Sequence, residues 1–192
     1  MADDELSMIE HALTQRIWVP TDEESRLAGA LFQRRKRLET EVVEDPAGLP
    51  KPTDGRGLFL TQHVSVCSRL ARELTEEVLP LWRDRLSGSP MLRLVERYAR
   101  ACEEARPYSE RLLATWRTSP PEEPAAELIA REAQRLRMPL DDAEHNTRYW
   151  LAAQWEEEQL TKEETKTVDA ALHRVGQIGT LLWAAGSGDI SY

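Results

Sequence analysis

Residues 90–117 read PMLRLVERYARACEEARPYSERLLATWR, and the spacing of apolar positions in this stretch decides the fold. At 100° per residue Met91, Leu94, Val95, Tyr98, Ala101, Cys102, Ala105, Leu112, Leu113 and Trp116 fall within about 60° of one line, the signature of a helix with one buried face. Ser89 ahead of Pro90 supplies an N-cap and then the residue best suited to the first helical position. Pro107 lies on the opposite, solvent side. There its ring bends the helix away from water and frees a carbonyl that water satisfies, so one kinked helix is predicted.

The same period runs through the rest of the chain, and almost nothing alternates at period two. Residues 4–18 place Leu6, Ile9, Leu13 and Ile17 on one face and stop before Pro20. Thr21 with Glu24 reads as a capping box opening a helix whose stripe is Leu27, Ala28, Leu31, Leu38 and Val42. Residues 45–57 hold three Pro and three Gly and read as a loop. Val64, Cys67, Leu70, Ala71, Leu74 and Val78 form the next stripe, which Pro80 is expected to end or kink. Ala126, Ile129, Ala133 and Leu136 make a short helix, and Asp141 with Glu144 and Thr161 with Glu164 read as capping boxes for the last two helices. Gly186 is the expected final stop, while Gly176 and Gly179 predict a close crossing or a kink. The expected fold is all-α, with six to seven helices in an antiparallel bundle or layered helical array. One domain is expected over 1–192, made of an N-terminal helical hairpin (1–44), the 45–57 loop and a main bundle (58–192).

Composition narrows the function classes. With 192 residues, 41% hydrophobic and 31% charged, the chain is outside the collagen-like, low-complexity and wholly disordered classes. No apolar run approaches the roughly 18 residues of a membrane span. The acidic start, Met1 to Glu5, is unlike a signal peptide, so a soluble, cytoplasmic protein without membrane association is expected. The net charge of −9 opposes wholesale coating of a polyanion. That charge is uneven: residues 1–55 carry −5, 56–117 carry +3 and 118–192 carry −7. Of the 25 bases 21 are Arg, which suits planar pairing with carboxylates across packed helices.

Candidate chemistry is sparse. Asp142 with His145 and Asp169 with His173 have helical spacing for metal ligands but lie off the apolar stripes, so both pairs are expected in water. His63 lies near the Val64/Cys67/Ala71 line, which makes it a half-buried structural residue or the centre of a helical-bundle metalloenzyme with acids such as Glu73 or Glu103. Cys67 and Cys102 fall on core-facing stripes with no supporting base expected beside them, so they read as inert thiols. No phosphate-cradling loop is present. The run Arg34-Arg35-Lys36-Arg37 sprays around its helix and is expected to snorkel over an interface with Glu39 and Glu41 as partners. Arg69, Arg72, Arg93, Arg97 and Arg100 are the residues that would line a nucleic-acid surface. Trp82, Trp116 and Trp150 are expected as core anchors. Tyr149 and Trp155, beside Glu156, Glu157 and Glu158, are expected to form an aromatic and acidic rim for a basic protein partner.

Residues 77–102 carry one resemblance. Glu77 to Trp82, the turn Ser87-Gly88-Ser89-Pro90, and then Arg93, Val95, Glu96 and Ala99 to Cys102 resemble a helix pair of a bacterial immunity protein family. That resemblance implies a helical, cytoplasmic chain that acts by binding a toxin. The expected function is therefore a non-catalytic protein-binding module, immunity or defence among its roles, with the acidic termini and the 45–57 loop as further contact candidates. A helical subunit of a nucleoprotein complex is the second class. No cofactor and no metal site is expected, and self-association is left open.

Overall fold

A computed structural model describes residues 2–44 and 59–188; the 45–57 loop lies outside the described residues. The elements are α1 (Ala2–Thr14), α2 (Asp22–Glu44), α3 (Leu60–Glu73), a π-helical turn (Leu74–Val78), α4 (Leu79–Trp82), α5 (Pro90–Thr118), α6 (Ala126–Leu136), α7 (Leu140–Glu158) and α8 (Lys162–Ser187). The fold is all-α. Because α3, the π turn and α4 run on continuously, the described residues form seven helical rods.

Four of these rods close a ring. α2 packs on α3, α3 on α5, α5 on α8 and α8 back on α2. Cross-helix contacts fix the directions: Arg34 meets Glu73 while Glu41 meets Arg69, Arg111 meets Glu164 while Glu104 meets Arg174, and Ser65 meets Ser109. Each pairing runs antiparallel, giving an up-and-down four-helix bundle. Its centre holds Leu38, Leu70, Leu74, Met91, Leu94, Tyr98, Leu112, Ile178 and Leu182, all essentially without exposure. α2, expected to pair with α1 in an N-terminal hairpin, takes one of the four places, and α1 packs on α5 and α8 instead. α6 and α7 pair with each other, and α7 touches α3.

Local signals act largely as their chemistry predicts. Ser89 Oγ accepts from the Met91 amide at 3.0 Å. The Thr21/Glu24 and Thr161/Glu164 boxes both form, with Glu24 Oε2 accepting from the Thr21 amide at 2.7 Å and Glu164 Oε2 from the Thr161 amide at 2.8 Å. α5 continues through the exposed Pro107. Pro80 does not end its helix: the preceding turn widens so that the Leu79 amide reaches Leu74 O, five residues back. A π turn of this kind makes room for a ring that would otherwise strike the carbonyl four residues earlier.

Four local expectations are corrected. α7 starts at Leu140 with Pro139 at its cap, so Asp141 sits inside the first turn, where it still favours the helix dipole. Ile17 is exposed because α1 ends at Thr14. Trp150 is 57% exposed and is not a core anchor. α8 does not stop at Gly186; it runs to Ser187, and Gly188 closes it in the left-handed conformation at φ 69°. Gly186 serves the crossing instead: a Cβ there would lie 2.8 Å from the Gly29 amide nitrogen.

Candidate functional site

The α6–α7 hairpin sits at the end of the bundle where α3 begins and α5 ends. A small apolar cluster holds it there, made of Phe59, Trp116 and Ala152, with Leu113, Tyr149 and Trp155 against them. Tyr149 lies on Phe59 with ring centroids 4.8 Å apart, and Trp155 meets Trp116 edge-on at 4.9 Å. Trp155 also donates its indole N–H to Ser119 O at 2.9 Å. Both aromatics expected at a partner-facing rim are therefore half-buried and help to latch the hairpin.

Glu156 is also placed inward, at 4% exposure. Its carboxylate accepts from the Leu60 amide at 3.1 Å, the Thr61 amide at 2.8 Å and the Thr61 hydroxyl. These are first-turn donors of α3, which have no partner within their own helix. Glu156 thus caps α3 from another helix and cannot serve as a rim residue. Burial pushes its carboxyl up from the ordinary range, against the pull of the three hydrogen bonds. Glu157 and Glu158 remain exposed, and Glu158 accepts from the Gln154 amide group.

A groove of about 520 Å³ runs between α6 and α7. Leu128 from α6 and Tyr149, Trp150 and Ala153 from α7 form its apolar lining, and Arg131, Glu132 and Arg135 of α6 line it as well, Glu132 being paired with Arg135. α6 is amphipathic, yet it has no fully buried residue, because a single helical neighbour covers only part of its apolar stripe. Asn146, Trp150, Ala153 and Glu157 recur at helical spacing, so Glu157 stands one turn beyond the groove on the same line. Leu140 is exposed at the hairpin turn.

Two of the five basic residues are held in ion pairs. Arg69 pairs with Glu41 of α2 at 3.9 Å, and Arg97 pairs with Glu5 of α1. Arg72, Arg93 and Arg100 are exposed on α3 and α5. Pairing thus neutralises part of the charge of this set, at Arg69 between α2 and α3 and at Arg97 between α1 and α5. Pairing of Arg with carboxylates across helices is the general pattern, as in Arg34–Glu73 and Arg111–Glu164.

His63 has different neighbours from those expected. Glu73 pairs with Arg34 and Glu103 with Arg106, while Arg35 and Glu39 of α2 stand with His63 around a cavity of about 200 Å³. Burial, and then the Arg35 charge, hold the His63 imidazole below its ordinary value, with Glu39 opposing. Of the basic run, Arg35 turns to the interface: its Nε donates to Glu39 Oε1 at 3.0 Å and its Nη1 to Val175 O at 3.3 Å. Gly179 makes room for it, since a Cβ there would fall 2.4 Å from Arg35 Nη1. Among the described residues no three His, Cys, Asp or Glu side chains gather as metal ligands, and no helix is long and apolar enough to cross a membrane.

Comparison with family models, with curated proteins and with solved structures finds no match to this chain.

Proposed function

We propose that this protein is a non-catalytic interaction module that takes a helical segment of another protein, apolar on one face and basic on the other, into the α6–α7 groove. The observation that carries this reading is Trp150, 57% exposed while lining the groove between α6 and α7. A large aromatic held at a groove by helices on both sides is the usual anchor of a helix-in-groove complex. Charge selects the partner's polar face. Residues 126–158 carry eight acids and four bases, and Glu157 stands directly in line with the groove, whose own Glu132 is paired with Arg135. A toxin neutralised by an immunity protein is the version of this partner that the resemblance of residues 77–102 supports.

Fluorescence anisotropy with a labelled amphipathic Leu/Lys helical peptide tests the proposal, using a scrambled peptide and an acidic-faced peptide as controls. Only the basic amphipathic peptide is expected to bind. Trp150→Ala is expected to weaken it at least about tenfold, as loss of an interface anchor does, and Glu157→Lys to weaken it too, with little change in Tm for either variant. Equal binding of the scrambled peptide, or indifference to Trp150→Ala, refutes the reading. Dimerisation abolished by Trp150→Ala would refute it in favour of a second copy of the chain.

A further inference from the structure

A second groove, of about 360 Å³, runs along the seam between α2 and α8. Phe32, Arg35 and Lys36 form its wall on α2; Gly176, Gly179, Thr180 and Trp183 form its wall on α8. Both sets recur at spacings of three and four, so each is one helix face. The register across the seam is fixed by the close approach of Gly186 to Gly29 and by Arg35 lying over Gly179. In an antiparallel pair that register sets Phe32 across from Trp183, and Lys36 across from the turn that holds Gly176 and Gly179. The groove therefore has an aromatic end and a basic end, one to two helical turns apart.

The basic end has a definite excess of charge. Glu39 Oε1 accepts from Arg35 Nε at 3.0 Å and Glu39 Oε2 from Lys36 Nζ at 3.1 Å, so two cations share one carboxylate. Glu39 is not part of this wall and lines the inner cavity with His63 instead. Among the described residues the wall holds no acid of its own and presents one positive charge in excess. At the aromatic end Lys36 Nζ lies 5.9 Å from the Phe32 ring centroid, which occupies that ring, whereas Trp183 is 39% exposed. The Thr180 hydroxyl donates to Gly176 O at 3.2 Å, so toward the groove it offers only lone pairs.

Packing does not call for Gly176. A glycine in a helix interior lowers stability, and a Cβ built there meets nothing within 4 Å. At Gly179 and Gly186 a neighbour occupies the space a side chain would take; at Gly176 that space belongs to the groove.

We infer that this groove binds a small planar aromatic monocarboxylate. The ring lies against the Trp183 indole, the carboxylate faces Lys36 and Arg35, and the bare backbone at Gly176 gives the acid its depth. Ring stacking and a charge-assisted contact are each modest in water, and a concave site combines them. One excess positive charge matches a carboxylate; a phosphate monoester, close to −2 at neutral pH, would leave charge uncompensated. A volume of 360 Å³ is at the small end of ligand sites and suits one ring with a short acid arm. The groove shares no residue with the one between α6 and α7, so the acid and a helical partner bind independently.

Heteronuclear NMR spectra of the full-length protein titrated with cinnamate test the assignment. Saturable binding with a Kd of about 1 mM or tighter is expected, with the Trp183 indole N–H, identified by its loss in Trp183→Leu, among the resonances that move most. Cyclohexanecarboxylate keeps the charge without the planar ring, and cinnamylamine keeps the ring and reverses the charge; each should bind at least about tenfold more weakly. Gly176→Leu places a good helix former where the groove is open. It should abolish binding while Tm stays at or above that of wild type. Lys36→Gln removes the excess charge and should weaken binding at least about fivefold, as should Trp183→Leu. Circular dichroism establishes that each variant is folded; if Trp183→Leu is not, Gly176→Leu and Lys36→Gln decide, and the Trp183 indole is assigned through the Trp183→Phe spectrum. Absence of saturable binding, equal binding of either control compound, tighter binding of phenyl phosphate, shifts centred on Trp150, or unaltered affinity in Gly176→Leu would each overturn the assignment.

Discussion

Replacing Gly186 by Ala tests the crossing of α2 and α8 at its tightest point. The added Cβ would stand 2.8 Å from the Gly29 amide nitrogen, 3.0 Å from Gly29 Cα and 3.4 Å from Ser25 O. All three atoms are backbone, so no side chain can swing aside. Bringing them to ordinary contact at about 3.5 to 4 Å requires the two helices to part by several tenths of an ångström beside the buried Leu182, Ala184 and Ala185. Overpacking of this kind costs about 1 to 3 kcal/mol. The helix propensity gained, about 1 kcal/mol in a helix interior, is reduced here because Gly186 is the penultimate residue of α8. The net expectation is a loss of about 1 to 2 kcal/mol, or roughly 2 to 8 °C in Tm for a chain of this size. Gly176→Ala is the matched control, since its Cβ would meet nothing within 4 Å; it should gain about 0.5 to 1 kcal/mol. Urea denaturation followed by circular dichroism measures both. Equal stabilisation by the two substitutions would refute a backbone contact at Gly186.

Glu156→Ala removes the acceptor of two α3 amides and the Thr61 hydroxyl; the buried donors left unpaired should cost about 2 kcal/mol after relief of the carboxylate's own desolvation. Urea denaturation, with faster hydrogen exchange at the Leu60 and Thr61 amides, checks it, and unchanged stability would contradict the cap. The Arg111 guanidinium, and next the Thr161 amide, hold the Glu164 carboxyl at about 2, below the value of about 4.3 in an unfolded chain. Between those values the unfolded state binds more protons, so Glu164's contribution is complete above the upper value and disappears as pH falls through about 2. The stability gap between wild type and Glu164→Gln should therefore close on acidification from pH 6 to pH 2; a gap of constant size would refute the pairing.

Helices and most caps were legible because their signals are local. A Ser-Pro start, a Thr-x-x-Glu box and a ten-residue stripe act within one segment, and no neighbour alters their meaning. α7 defeated the same reading because it is covered from two sides, by α6 on one and by the Phe59/Trp116 cluster on the other. A wheel with one apolar line then misplaces both aromatics: Tyr149 turned inward off the line and Trp150 outward on it. Glu156 carried a usable signal, since it follows the buried Ala152 by four residues, one turn on along the same face. The inner cavity was partly written in the chain as well. Arg35 lies between Leu31 and Leu38 at stripe spacing, and His63 stands one turn before Cys67. The π turn left a trace too: the buried series Leu70, Leu74, Leu79 contains one step of five, the residue inserted ahead of Pro80.

The hairpin of α6 and α7 occupies the connection between α5 and α8, yet Arg111 and Glu164 already hold the end of α5 beside the start of α8. Closure of the ring is thus anchored outside the intervening chain, which adds to it the Glu156 cap on α3 and the packing on Phe59 and Trp116. Residues 119–160 behave, in topology, as a cassette spliced between two anchored ends. One hairpin can be exchanged or lengthened there, provided that an acceptor for the first amides of α3 is kept, while the four helices that supply the core keep their sequence and their register.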